Sequence, residues 1–181
     1  MIGKWLSETV EELAMHFWSV DPQQRRACNG LVASCVFRSY VQERLFIWNP
    51  STGFFNELPF RGHIDEQLMF GFMFGFGYLS TTDEYKVVMG AEMFSSNKGS
   101  WKRIQVPPCS VGQSCGVFSS GALHWLLYSC DQKQQVPNLY AFDLEKEEFW
   151  MMKLPDALQT LGLVRSSISY QLGVTREGAC M

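Results

Sequence analysis

Short apolar or β-branched runs alternate with clusters of turn-forming residues along most of the chain. "ACNGLVASCVF", "FGFGYLSTTDEYKVV" and "GVFSSGALHWLLY" each carry two such runs around an Asn-Gly, Thr-Thr-Asp-Glu or Ser-Ser-Gly bend, the pattern of a β-hairpin. A second kind of hairpin follows each of them. "IWNPSTGFFNELP", "MFSSNKGSWKRIQVP" and "AFDLEKEEFWMMKLP" share one skeleton: an aromatic, a polar turn, a second aromatic and a closing proline. Pro presets φ, Gly accepts positive φ, and Asn or Asp bonds its own backbone, so the polar centre of each phrase reads as a bend. The bends fall at Pro50 to Gly53, Thr81 to Glu84, Asn97 to Ser100, Ser119 to Gly121 and Glu145 to Glu148.

The paired aromatics are Trp48 and Phe55, Phe94 and Trp101, and Phe142 and Phe149. Placed on the two arms of a hairpin, they stabilise a sheet as cross-strand pairs. Trp48, Trp101 and Phe142 are expected to be largely buried. Pro59, Pro107 and Pro155 close the phrases, since proline cannot donate to a ladder. The phrase recurs at roughly 46 to 48 residues, the period of a propeller blade or solenoid unit. Two hairpins per unit give about four strands, the content of one blade, and about three units are visible. The fold expected is all-β, with open edges near Cys28 to Phe37 and Tyr170 to Met181.

Composition narrows the function classes. With 46% hydrophobic and 14% aromatic residues in 181, the chain can bury a core. A net charge of −3 without a long basic run argues against nucleic acid or an anionic membrane as partner. The richest apolar run, "LMFGFMFGFGYL", is shorter than the roughly 20 residues of a membrane span and reads as a buried strand pair. Glu8, Glu11 and Glu12 interrupt the N-terminal stretch where a signal peptide is apolar. Cys28, Cys35, Cys109, Cys115, Cys130 and Cys180 show no Cys-x-x-Cys spacing and are expected as reduced strand residues, in keeping with a cytoplasmic or nuclear location.

Catalytic and cofactor patterns are weak. "GQSCG" fits the Gly-x-Ser-x-Gly elbow around Ser114, but the elbow needs a following helix and an acid before its histidine. Here "VFSSGALHW" continues as strand and turn to His124. Gly71, Gly75 and Gly77 lack dinucleotide-loop spacing and read as relief for crowded strands. His16, His63 and His124 form no ligand-spaced pair. Asp83, Glu84, Glu145, Glu147 and Glu148 cluster at turn tips, where solvated carboxylates are the ordinary expectation. Neither catalysis nor a cofactor is expected.

The phrases "CNGLV", "IWNPSTGFFNELP", "FGFGYLSTTDEYKVV", "SWKRI", "GVFSSGALHWL", "AFDLEKEEFWMMKLP" and "YQLGVTREGACM" together resemble the plant F-box-associated interaction domain, in the same order. The resemblance covers residues 28–181 and leaves 1–27 as a divergent lead-in with no recognisable F-box, around a short helix or strand from Glu8 to Met15. It implies antiparallel kelch-like repeats forming a partial, about three-blade, β-propeller-like domain, shortened at its C-terminus. It also implies a protein-binding, non-enzymatic role: substrate receptor of a Skp–cullin–F-box E3 ubiquitin ligase, the Skp adaptor and cullin being partners only through an F-box outside this chain. A stand-alone binding protein or decoy, without ligase recruitment, is the alternative. Binding residues are expected on the polar connections "RGHIDEQ" and "CDQKQQVPN", at Arg61, His63, Asp65, Glu66, Lys133 and Gln134, because loops on a rigid scaffold usually carry recognition.

Overall fold

The computed structural model describes residues 25–38, 41–59, 73–110, 114–129, 138–154, 172–175 and 178–180. Every regular element among them is a strand, so none is a helix long and apolar enough to cross a membrane. The first sheet is an antiparallel meander of β1 (Arg25–Cys28), β2 (Leu31–Arg38), β3 (Val41–Trp48) and β4 (Phe55–Glu57). The second repeats it with β5 (Met73–Leu79), β6 (Glu84–Met89), β7 (Glu92–Ser95) and β8 (Ser100–Arg103). Two short strands follow, β9 (Cys109–Ser110) and β10 (Ser114–Cys115), and β10 adds to β5 in parallel. The third meander is β11 (Val117–Ser119), β12 (Ala122–Ser129), β13 (Asn138–Asp143) and β14 (Glu148–Met152), with β9 beside the far end of β12. A ribbon of β15 (Gly173–Thr175) and β16 (Gly178–Cys180) completes the order.

All five expected bends fall between paired strands, and each aromatic pair is in register across its hairpin: Trp48 with Phe55, Phe94 with Trp101, Phe142 with Phe149. The ring centroids of the last two pairs are 5.5 and 4.7 Å apart. In the first sheet Phe55 meets the ring of Phe46 instead, at 4.8 Å. Phe142 and Phe94 lie on third strands and are covered; Trp101, on an outermost strand, is half-buried, and so is Trp48, although it lies on a third strand. Phe142 is fully covered, and the two tryptophans, largely buried as expected, keep a partly exposed face.

The inner strands of the middle sheet are buried on both faces, and their sequence shows how. Along β5, Phe74, Phe76 and Tyr78 face the first sheet, where they join Ala33, Cys35, Leu45, Ile47 and Leu58. Met73 and Leu79 face the third sheet, where they join Leu123, Trp125, Leu127, Phe142 and Leu144. Between them on that face stand Gly75 and Gly77. A Cβ on Gly75 would lie 2.6 Å from Trp125 Cζ2, and one on Gly77 would lie 2.7 Å from both Leu144 Cδ1 and Phe118 Cδ2. The period-2 alternation of large and absent side chains lets the third sheet close onto the backbone of the second. This is the crowding the glycine spacing predicts; Gly71 lies outside the described residues.

Within the apolar run ending at Leu79, Met73–Leu79 form one buried strand, and residues 68–72 lie outside the described set. The open edge expected near Cys28 to Phe37 needs correction in part: Cys28 lies on β1, which bonds to β2 alone among the described strands, but 31–37 form no edge, because β2 is bonded to β1 on one side and β3 on the other. At the other end of the chain, Gly173–Thr175 and Gly178–Cys180 bond to each other. Residues 1–24, with the element expected at Glu8 to Met15, are outside the described residues. Cys28, Cys35 and Cys115 carry thiols rather than disulfides. Burial pushes the Cys28 thiol up to about 11 against a backbone hydrogen bond from Tyr78, which makes it a packing residue rather than a reactive one.

Candidate protein-interaction surface

Antiparallel meanders send their first and third turns to the same end. Here that end collects the turns at Asn29–Gly30, 49–54, 80–83, 95–100, Ser120–Gly121 and 143–148. Two are two-residue turns with both residues at positive φ, 49° and 78° at Asn29–Gly30 and 51° and 77° at Ser120–Gly121. That is the primed geometry that matches strand twist.

The turns of the repeated phrase are built alike. Gly53 N donates to Asn49 O, Gly99 N to Ser95 O and Glu147 N to Asp143 O, at 2.8 to 2.9 Å. The first residue caps its own turn in every case. Asn49 Oδ1 accepts from Ser51 N and Thr52 N. Ser95 Oγ accepts from Lys98 N. Asp143 Oδ1 accepts from Glu145 N and Lys146 N. The fifth residue is left-handed, with φ of 71°, 63° and 61° at Gly53, Gly99 and Glu147. Glycine fills that position without strain in two units; in the third a glutamate does, at a cost of about 1 to 2 kcal/mol.

What holds Glu147 there is a polar network in the seam between the second and third sheets. Lys86 is buried, and its Nζ donates 2.7 Å to Leu144 O and 2.8 Å to Glu147 Oε1. Lys102 Nζ donates to Glu147 Oε2. Glu84, also buried, lies 3.6 Å from Lys86 Nζ and accepts from the Ser95 hydroxyl. Burial alone would raise the Glu147 pKa, but the hydrogen bonds and charges of Lys102 and Lys86 outweigh it and hold the carboxyl below its ordinary range.

Further bonds join the turns into one surface. Asn29 Nδ2 reaches Tyr85 OH across the first seam at 3.2 Å, and Tyr85 N donates to Ser96 Oγ. Asn97 Nδ2 donates to Thr82 O, and Leu144 N to Gly121 O. Tyr78 OH donates to Asp83 Oδ1 at 2.7 Å, which raises the phenol pKa. The result is a preorganised end presenting exposed Ser51, Thr52, Asn97, Lys98, Glu145 and Lys146, with Phe54 59% exposed among them.

The residues expected to bind, Arg61, His63, Asp65, Glu66, Lys133 and Gln134, all lie outside the described residues. The turn-tip carboxylates divide. Glu145 and Glu148 are exposed, as expected of solvated groups, but Glu84 is buried and Glu147 is held by two lysines. A signal for this was present: Lys86 interrupts the apolar alternation of "EYKVVM" and calls for a carboxylate beside it. Ser114 lies on β10, and the chain runs through Gly116 into β11 rather than into a helix. The His124 ring is buried, with Nδ1 3.3 Å from Val117 O. No group of three or more metal-capable side chains occurs among the described residues.

A family profile described as the F-box associated beta propeller domain matches residues 4–177. The chain belongs to that family. Among curated relatives, the F-box protein CPR1 of Arabidopsis thaliana is 29% identical over 148 residues, covering 63% of this chain and 36% of the relative. The Arabidopsis F-box protein At5g07610 is 25% identical over 173 residues, covering 79% of this chain and 38% of the relative. The chain thus spans just over a third of the length of the F-box proteins it matches.

Proposed function

We propose that this chain is the substrate-recognition part of an F-box protein, the receptor component of a Skp–cullin–F-box E3 ubiquitin ligase. It binds a target protein and performs no chemistry of its own, and the contact with the Skp adaptor belongs to an F-box outside these residues. The observation that carries the reading is the family match, laid over a stack whose turns are bonded into one rigid end. Rigid, side-chain-bearing turns on a β scaffold favour protein recognition, because little ordering cost remains to be met on binding. The reading places the protein in the cytosol or nucleus, where that ligase operates.

Co-precipitation tests it. The 181-residue chain and a version carrying an F-box ahead of it are compared for capture of purified Skp adaptor and of cellular proteins. The expected result is adaptor binding by the F-box version only, with one shared set of captured proteins. That set should be lost when Phe54→Asp and Lys98→Glu are combined. Robust adaptor binding by the chain itself, or a captured set indifferent to the turn substitutions, overturns the assignment.

A further inference from the structure

The three sheets differ at their outermost strands. In the first, β4 has only three residues, with Glu57 among them. In the second, β8 carries Lys102 and Arg103. Short length and charge are two of the devices that blunt an edge against strand addition. β14 has neither. It runs "EFWMM", with Trp150 41% and Met151 64% exposed, and it bonds to β13 on one side alone among the described strands.

Which of its backbone groups face outward follows from the ladder. In the first sheet Asn49 N donates to Phe54 O and Leu58 N to Leu45 O, and in the second Ile104 N donates to Ala91 O. Each bonded pair lies an even number of steps from the turn, as antiparallel alternation requires. The same count in the third sheet makes Ala141–Trp150 a bonded pair and leaves Phe142–Phe149 and Tyr140–Met151 as non-bonded pairs. The N–H and C=O groups of Phe149 and Met151 therefore point away from β13.

We infer that β14 pairs with β14 of a second copy of this chain, antiparallel, about a two-fold axis through Trp150. Outward-bonding residues must meet one another, which restricts the register. Centring on Trp150 sets Phe149 against Met151 twice and Trp150 against its own copy at a non-bonded position, where side chains approach most closely. Centring on Met151 instead would set Phe149 against Lys153. Centring on Phe149 would set Met151 against Glu147, which Lys86 and Lys102 already hold. At Phe149, Trp150 and Met151 only the Trp150 axis matches apolar with apolar, with Glu148 set against Met152 at each end, so the centre of the edge is complementary to itself. The contact is isologous and closes at two copies. It uses the outer strand and leaves the turn-bearing end of each copy free.

Two measurements on the full chain test the inference. Sedimentation velocity across micromolar concentrations should show a reversible monomer–dimer equilibrium, and Met151→Lys should weaken it by about tenfold or more with an unchanged melting temperature. Cysteine cross-linking reads the register. Across the axis, Trp150→Cys places two thiols on a non-bonded pair about 4.5 Å apart at Cα, within disulfide reach, while Met151→Cys places them too far apart. Under mild oxidation the former should give a covalent dimer above the wild-type background and the latter should not. A monomer at all concentrations, a dimer indifferent to Met151→Lys, or cross-linking through position 151 rather than 150 would each overturn it.

Discussion

The seam between the first and second sheets and the seam between the second and third solve one packing problem in different ways. The first is filled from both sides by side chains of ordinary size, among them Leu45, Ile47, Phe74, Phe76 and Met89. Its polar crossings are neutral: Asn29 to Tyr85, and the Trp101 indole N–H to Pro59 O at 2.7 Å. The second seam is asymmetric. The second sheet contributes bare backbone at Gly75 and Gly77, and the third fills the space with Phe118, Leu123, Trp125 and Leu144. Buried charge then crosses it through Lys86, Glu84, Glu147 and Lys102. A seam of interdigitating hydrocarbon tolerates change by repacking. A seam built from glycine clefts and paired charges has one register, and small changes cannot be absorbed.

The largest effect should come from Trp125. It is fully buried, its Cζ2 lies where a Gly75 Cβ would be, and its Nε1 donates 3.3 Å to Phe74 O. Trp125→Ala should cost about 3 to 5 kcal/mol in urea unfolding, well above Phe76→Leu on the first seam, a smaller change in volume at a site filled from both sides. Equal losses would mean that the two seams do not differ in plasticity. Next is Lys86→Ala, which removes the cation from a buried carboxylate and should cost about 3 kcal/mol. Pairing it with Glu84→Gln should recover part of that loss, a coupling that a double-mutant cycle isolates. Full additivity would show that Glu84 is satisfied by Ser95 and Thr82 without the lysine.

The contrast between seams also marks what the sequence reveals. Turns, aromatic pairing and sheet count depend on local chemistry repeated three times, and each was readable. Asn29-Gly30 requires positive φ at both residues, and the seven-residue step from Trp48 to Phe55, Phe94 to Trp101 and Phe142 to Phe149 is fixed by a common turn. Gly75 and Gly77 were legible as crowding, but not as crowding by Trp125 and Leu144, because the partner lies in another repeat. Glu147 was misread as solvated for the same reason: its lysines, Lys86 and Lys102, lie in another repeat. Glu84 was misread although Lys86 is two residues away and Ser95 lies in the same sheet. The half-burial of Trp101 reflects strand order: it lies on the outermost strand, which shields less than the middle of a sheet.

Gly75→Ala should fall below the first two effects, at about 1 to 3 kcal/mol. The added carbon meets a ring locked between Gly75 and Gly116, where a Cβ would lie only 2.5 Å from Trp125 Cε2. Calorimetry of Gly75→Ala alone and combined with Trp125→Phe checks the cause. A smaller ring should relieve the clash, so the double variant should lose less than the two singles predict. Strict additivity would place the cost of the alanine elsewhere.

The smallest effect concerns acid. Glu147 titrates below its ordinary value of 4.5 because Lys102 and Lys86 overcome the cost of burial. Glu57, on the first sheet, is also lowered, chiefly by the hydrogen bond from Arg44 and then by its charge, against partial burial. A carboxylate with a depressed folded pKa adds stability that is present above the unfolded value and drains away as pH falls through the folded one. Both glutamates therefore contribute at neutral pH and cease to do so in acid below about 4.5. Their contributions differ in size. The Arg44–Glu57 side chains are 38% and 42% exposed, the regime in which an ion pair is worth at most about 1 kcal/mol. Glu147 faces a lysine that is itself buried and has few other partners. Melting temperature followed from neutral pH down through the carboxylate range should drop less steeply in Glu147→Gln than in wild type, with Glu57→Gln nearer to wild type. The reverse order would locate the acid-sensitive contact in the first sheet and remove the charge-bearing seam as the feature that sets the two apart.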